Sequence, residues 1–529
     1  MGNSRAVPVV VPDRLWLWAA SVAAVSCSTQ APPAASVEVA VVDEALSGES
    51  AADTSGEKKR RGAPPEVRAA RKAWPLANRD YAGTRATFDS KLRRGNIAQV
   101  AQAWAYDLTF PAVGYGSGTA APLVLDGVVY YADQLSNVTA LNLETGALIW
   151  EKRYDAASVG PNGIAVGWGK LFTTASDKSF VALDLATGEE LWKAPIELPT
   201  YGGYSIAPIA YDGLVYLSSV PVTASSQYAG GVNGTLYALD EATGAVVWSF
   251  ATVEDPGLWG HPDINSGGGA WYPPTIDETR GITYWGIGNP APWPGTPEFP
   301  LASSRPGDNL YTNSVVSLDA KTGKLNWYYQ EAPHDLFDLD FQNPPILYKT
   351  KIDGVERKLV VGSGKTGTVV ALDPERGGEV VWHATVGQHE NDTLTEFGAE
   401  GVVVFPGSLG GIDTPAAYAK GTVYVPVVNW GTQYFPDRLE GFVTETGTGE
   451  LVALDAGTGA QRWKVDLTGA LFGSVTVVND LVIAPTFDSQ VHAFDRNTGE
   501  EVWTWQSPVN INAPITVVDN TLLIPAGAG

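Results

Sequence analysis

The stretch "LDLATGEELW", residues 183–192, returns along the chain with small changes, as "LDEATGAVVW" at 239–248, "LDAKTGKLNW" at 318–327 and "LDAGTGAQRW" at 454–463. Seven times a Gly is followed four residues later by a Trp: Gly146 and Trp150, Gly188 and Trp192, Gly244 and Trp248, Gly323 and Trp327, Gly378 and Trp382, Gly459 and Trp463, Gly499 and Trp503. In five copies an Asp stands four residues before the Gly; Asn142 replaces it in the first, and Asp373 lies one residue farther from Gly378. An Asp at the end of a strand can cap a tight turn through the backbone that follows it, and a Gly accepts positive φ. The pattern therefore predicts strand, turn, and a second strand that carries the Trp inward.

Upstream of these turns lies a second hairpin signal, seen in "LVLDGVVYYAD" at 123–133, "IAYDGLVYLSS" at 209–219 and "TVVNDLVIAPT" at 476–486. Apolar residues alternate around Asp-Gly or Asn-Asp, which predicts two more strands per repeat. Four short strands repeated in tandem are the blades of a β-propeller. The last stretch, "PITVVDNTLLIPAGAG" from 514 to 529, begins an eighth unit but stops without its Trp. The segment "IAQVAQAWAYDL" around Trp104 is placed to supply the missing outer strand. Closing a ring with strands from both ends removes exposed sheet edges. The expectation is all-β: one eight-bladed propeller over residues 74–529.

Composition agrees with a turn-rich β protein, since 529 residues include 58 Gly and 36 Pro. A formal charge of -24 repels nucleic acid and anionic lipid, so neither is an expected partner. Residues 1–27 resemble a secretory signal, with Arg14 ahead of the apolar run Leu15–Val25 and small residues before Cys27. "AVSC" at 24–27 also resembles a bacterial lipoprotein signal, in which Cys27 carries a lipid anchor. The expected location is periplasmic or envelope-associated. Residues 28–73, rich in Ala, Pro, Glu and Ser and holding "EKKRRG", read as a disordered linker. With Cys27 alone there is no internal disulfide, and without Cys-x-x-Cys-His there is no covalently attached haem. Any electron carrier must be a separate molecule.

The Asp-x-x-Thr-Gly-x-x-x-Trp units resemble the tryptophan-docking motif of the quinoprotein alcohol dehydrogenases, and the resemblance spans about residues 74–529. It implies an eight-bladed propeller that binds pyrroloquinoline quinone (PQQ) with calcium or a lanthanide ion, and oxidises an alcohol while a separate acceptor such as a cytochrome c takes the electrons. It also implies roles for particular residues. Trp271, after the Gly run "SGGGAW", matches the floor on which the quinone stacks; Asn289 in "GNPAPW" matches a metal ligand. In "PHDLFDLDFQNPP", Asp338 matches the metal ligand and base, while Asp340 resembles the extra carboxylate of lanthanide-dependent members. Asp335 reads as a loop-forming residue. Lys365 in "GSGKTG" matches the cation that hydrogen-bonds the quinone oxygens.

The sequence also departs from the family pattern. Ala156 and Ala157 stand where a disulfide commonly covers the other quinone face, Asn162 replaces an Arg, and Thr119 replaces a carboxylate. A metal-binding Glu is missing from "SSQYAGGVNG", where Gln227 and Tyr228 offer the nearest oxygens. These losses keep a second expectation open: a cofactor-free propeller that serves as an envelope binding or assembly scaffold. Choice of alcohol falls to loops above the funnel, including "WPGTPEFPLASSRPG" at 293–307 and "VNWGTQYFPDRLEGF" at 428–442.

Overall fold

The repeated turn closes through one side chain. Asp184 Oδ1 accepts hydrogen bonds from Ala186 N at 3.0 Å, Thr187 N at 2.9 Å and Thr187 Oγ1 at 3.0 Å. Gly188 then takes φ of 73° and donates its N–H to Asp184 O at 2.9 Å. Asn142, Asp240, Asp319, Asp455 and Asp495 cap their turns in the same way.

These turns join the last two strands of each sheet. The computed structural model describes residues 62–527 apart from 109–117, 159, 177, 199–201, 205, 222–229 and 231. Among the described residues the only α-helix is Pro65–Ala69. Seven successive sheets each contain four antiparallel strands joined in chain order, beginning with Leu123–Leu125, Val128–Ala132, Val138–Asn142 and Leu148–Lys152. The last sheet holds only Thr516–Val518 and Thr521–Leu523. Two three-stranded sheets sit in the insertions, one of them formed by Val402–Val404, Thr432–Phe435 and Arg438–Phe442.

Apolar contacts join each sheet to the next. Leu123 and Tyr130 of the first share a cluster with Ile164 and Leu171 of the second, and Val518 and Leu523 of the last pack with Val124 and Leu141 of the first. Six of the seven motif Trps, all but Trp503, lie against the Gly of the following unit and not their own. Trp192 packs on Gly244, where a Cβ would fall 2.6 Å from Trp192 Cε3, and its Nε1 donates to Glu241 O at 3.1 Å. Trp150, Trp248, Trp327, Trp382 and Trp463 lie in the same way on Gly188, Gly323, Gly378, Gly459 and Gly499. The segment around Trp104 forms no strand, yet its indole meets Gly146 in this manner and donates to Leu143 O.

The expected leader at 1–27, Cys27 and most of the expected linker lie outside the described residues. The end of that linker does not: residues 62–73 belong to the folded unit. Val67 and Ala70 are buried on neighbouring helical turns, and Glu66 accepts from Trp168 N. The charges of "EVRAARKA" hide this short apolar face from a compositional reading.

From this helix the chain runs as a strap that bonds to the first sheet and then to the fourth through the last in turn. Trp74 exchanges backbone hydrogen bonds with Val124, Tyr81 O accepts from Ile276 N, and Ala82 O from Leu347 N. Thr84 O accepts from Tyr418 N, Arg85 O from Val477 N, and Lys91 N donates to Asp519 O. Arg85 is fully buried and donates to Val475 O, Ala77 O, Asn78 Oδ1 and Thr476 Oγ1.

Candidate active site

The loop "PHDLFDLDFQNPP" is held from both sides. Asp335 accepts from Phe337 N at 2.7 Å and Leu339 N at 2.8 Å, so its carboxylate shapes the turn. The buried Arg305 donates to Asp335 O and Pro292 O, and Tyr434 Oη donates to Phe337 O at 2.7 Å. Leu336, Phe337 and Leu339 bury into one cluster with Val404 and Tyr434. The apolar residues thus anchor the loop while Asp338 and Asp340 line a cavity. Asp338 does so from a left-handed backbone, with φ of 63°.

That cavity has a volume of about 560 Å³ and brings Trp271, Asn289, Asp338, Asp340 and Lys365 to one wall system. Lys365 arrives from the turn after Val355–Ser363, its N–H donating to Asp340 O at 2.7 Å. Its Nζ lies 2.7 Å from Asp340 Oδ2 and 3.1 Å from Asp338 Oδ2. Asp340 Oδ1 accepts from Asn289 N at 2.8 Å. Gly288 is required beside it, because a Cβ there would strike Asp340 Oδ1 and approach Trp271 Nε1.

Burial sets the electrostatics. It pushes the Asp338 carboxyl well above the usual carboxylate range, against the pull of Lys365 and with the repulsion of Asp340. Burial works against the charge of Lys365, but Asp338, Asp340 and Asp413 together hold its pKa well above the ordinary lysine value. Asp413 is raised by burial, with Lys365 opposing.

Asp413, Tyr272 and Gln342 line the same cavity and were not singled out from the sequence. Tyr272 Oη and Gln342 Nε2 both donate to Asp413 O, at 3.2 and 3.1 Å. The only signal for Asp413 was its place in "GGIDTP", which reads equally as a turn.

The expected replacements fall differently. Thr119 lines the cavity, whereas Asn162 is buried behind it, donating to Asp133 O at 2.7 Å and accepting from Gln134 Nε2 at 3.2 Å. Ala156 and Ala157 do not line the cavity; Gly160 and Pro161 do. Gln227 and Tyr228 lie outside the described residues.

Ser474 Oγ, Thr414 Oγ1 and Gln342 Oε1 are buried in the lining without a hydrogen-bond partner among the described residues. Together with the Trp271 ring and the Lys365 ammonium they suit a planar ligand bearing carbonyl and carboxylate oxygens. For a metal, Asp338, Asp340 and Asn289 offer hard oxygens, the donor type of calcium and lanthanide sites. Among the described residues no group of three or more His, Cys, Asp or Glu is placed to hold an ion, so further oxygens must come from outside these side chains.

Successive four-stranded antiparallel sheets, each packed on the next, make a β-propeller. Residues 197–386 match the family model described as glucose/ethanol/alcohol dehydrogenase, beta-propeller domain, and residues 63–250 and 365–527 match that of outer membrane protein assembly factor BamB. The quinohemoprotein alcohol dehydrogenase of Comamonas testosteroni is 27% identical over 98% of this chain and 79% of its own. The quinoprotein alcohol dehydrogenase PedH of Pseudomonas putida is 27% identical over 80% of each chain. In fold, the quinohemoprotein alcohol dehydrogenase ADHIIG of Pseudomonas putida HK5 superimposes with a TM-score of 0.75 at 24% identity, over 86% of this chain and 76% of that one. The chain is a divergent relative of the quinoprotein and quinohemoprotein alcohol dehydrogenases, 27% identical to these two over most of its length.

Proposed function

We propose that this chain is an exported dehydrogenase that binds PQQ with calcium or a lanthanide ion, oxidises an alcohol to a carbonyl compound, and passes the electrons to a separate acceptor such as a cytochrome c. The observation that carries this reading is the buried Lys365 bridging Asp338 and Asp340 in a cavity that Trp271 also lines. Burying two carboxylates and an ammonium is costly, and packing alone gives no reason for it.

Bound in this cavity, PQQ would supply an acceptor for the hydride of the alcohol carbon. Asp338 is placed to take the hydroxyl proton, its carboxylate lining the cavity beside the Lys365 ammonium. Lys365 remains protonated and donates hydrogen bonds to oxygens that gain negative charge. Trp271 supplies a flat apolar face for stacking. Asp338, Asp340 and Asn289 would hold the metal. The eight-bladed ring belongs to this proposal as well; the packing of Val518 and Leu523 on Val124 and Leu141 supports it. So does a periplasmic or envelope location, with or without a lipid on Cys27.

A cofactor-free envelope scaffold is the second reading, favoured by the match of 63–250 and 365–527 to the BamB model and by Asn162 being spent on local hydrogen bonds. Reconstitution separates the two. Purified protein is incubated with PQQ plus calcium or lanthanum, its absorbance spectrum recorded, and dye-linked oxidation of an alcohol panel measured. A bound-quinone spectrum with turnover is the expected result; neither signal under either metal establishes the scaffold.

A further inference from the structure

Lys365 stands in a turn that is braced from outside the cavity. Gly367 N donates to Gly364 O at 3.0 Å, and Gly364 O also accepts from Ile412 N at 3.0 Å. Gly367, with φ of 68°, accepts at its carbonyl from Val386 N at 2.8 Å, just past the strand Glu379–Thr385. The His389 ring closes against the same point: a Cβ on Gly367 would fall 2.7 Å from its Nε2.

Both nitrogens of that ring face acceptors. Nε2 lies 3.1 Å from Val386 O and Nδ1 lies 2.6 Å from Asp392 Oδ2. A carbonyl and an ionised carboxylate can only accept, so each nitrogen carries a proton and the ring is an imidazolium. Its pKa is accordingly raised above the ordinary histidine value, by the hydrogen bond with Asp392 against the cost of burial. Asp392 is the charged group that faces the ring from its own loop. The strand end presents the Val386 carbonyl and the turn presents Gly367, while Lys365 directs its ammonium the other way, to Asp338 and Asp340.

The loop that carries His389 is pinned at several points. Glu390 and Phe405 exchange backbone hydrogen bonds at 2.7 and 2.9 Å, Asn391 Nδ2 donates to Val403 O at 2.9 Å, and Gln388 N donates to Asn429 Oδ1 at 2.8 Å. His389 is therefore a fixed post against which the turn leans. Its side chain is 23% exposed and does not line the cavity, so it exchanges protons with solvent while Lys365 stays enclosed.

We propose that His389 is a positioning residue: as an imidazolium bound to Asp392 it clamps Val386 and Gly367, so holding Lys365 in place, and it releases the turn as pH rises. The link from that turn to the quinone oxygens rests on the dehydrogenase reading. A neutral ring keeps the Nδ1 proton for Asp392 and sets a lone pair against Val386 O, so the brace on the turn is lost.

The first arm of the test needs no cofactor. The full chain without PQQ is titrated by NMR from about pH 5 to about pH 9, following the His389 ring and the hydrogen-exchange protection of the Val386 N–H. The ring is expected to titrate above about pH 6.5, and protection, corrected for the intrinsic exchange rate, to fall about tenfold with the same midpoint. Asp392→Asn should move both midpoints down together. His389→Gln keeps a donor for Val386 O and does not titrate, so its protection should not vary with pH. In the second arm PQQ with calcium or lanthanum is titrated into the same proteins. Its dissociation constant is expected to rise about tenfold across the wild-type midpoint and to stay level in His389→Gln.

Protection of Val386 that ignores the His389 titration, or a PQQ affinity whose pH dependence survives in His389→Gln, overturns the inference. A merely structural histidine would lower the melting temperature of that variant and move neither readout. PQQ failing to bind at any pH with either metal, while protection follows the ring, leaves the clamp standing and overturns the dehydrogenase reading.

Discussion

Lys365 Nζ lies 2.7 Å from Asp340 Oδ2, and both side chains are almost wholly buried. The same ammonium is 3.1 Å from Asp338, so one cation balances two carboxylates. Removing it leaves two adjacent acids without compensation. Lys365→Met is expected to lower stability by about 3–5 kcal/mol, the range for a broken buried pair. Adding Asp340→Asn to that variant should restore part of the loss, because the remaining repulsion disappears. Urea unfolding of the four proteins in the cycle measures the coupling; additive losses would show that Lys365 and Asp340 do not interact energetically.

The repeat makes a prediction about packing between units. Gly244 has φ of 72° and lies under the Trp192 indole, where a Cβ would sit 2.6 Å from Cε3. Gly244→Ala therefore meets both backbone strain and a ring that cannot move without leaving its hydrogen bond to Glu241 O. A loss of about 2–4 kcal/mol is expected. Trp192→Phe keeps most of the apolar contact and loses the Nε1 donor, for about 1 kcal/mol. Thermal unfolding of both variants should give that order.

The capped turn was legible because it is local. One Asp side chain meets the next residues' N–H groups, and a Gly at fixed spacing supplies the positive φ, so the chemistry is written within a few positions. Asp335 was readable for the same reason. The strap was not. Tyr81, Ala82, Thr84 and Arg85 each bond to a different sheet, and the longest strand among them is Ala86–Thr87, too short to leave a periodic signal. At the site, Asp338 and Lys365 were reached through resemblance, whereas Asp413 and Phe442 became visible only once distant loops converged on one cavity. Even the Trp partners were half legible: their spacing showed the repeat, but that each indole serves the next unit is a tertiary fact.

A pH dependence follows from Asp277, whose carboxylate is 2.6 Å from Lys358 Nζ. Burial alone would raise its pKa, but the hydrogen bonds from Lys358 and Thr279 outweigh that and hold it below the ordinary value. A carboxyl depressed in the folded state contributes stability that is present above its unfolded pKa and lost as pH falls through the folded one. Lys358→Met leaves the buried acid with fewer partners and should cost about 1–3 kcal/mol at neutral pH. The difference between wild type and variant should shrink on acidification below about pH 4, where Asp277 of the unfolded chain becomes protonated. Unfolding free energies measured from pH 7 to pH 3 check the sign; a difference that grows on acidification would contradict it.

Asp338 and Asp340 share one lysine and one loop, yet the proposed function gives them different duties. Asp338→Ala removes the base as well as one metal oxygen, so it should lower kcat by about a hundredfold or more without recovery at high calcium or lanthanum, while the spectrum of bound PQQ persists. Asp340→Ala removes a metal oxygen and the partner of Asn289 N, so it should first lower the metal retained after dialysis, with activity falling in proportion and recovering at high calcium or lanthanum. Metal analysis and turnover on the same samples distinguish the duties. If Asp340→Ala kept its full metal content, Asp340 would serve only as the partner of Lys365 and Asn289 N, and the lanthanide reading would lose its residue.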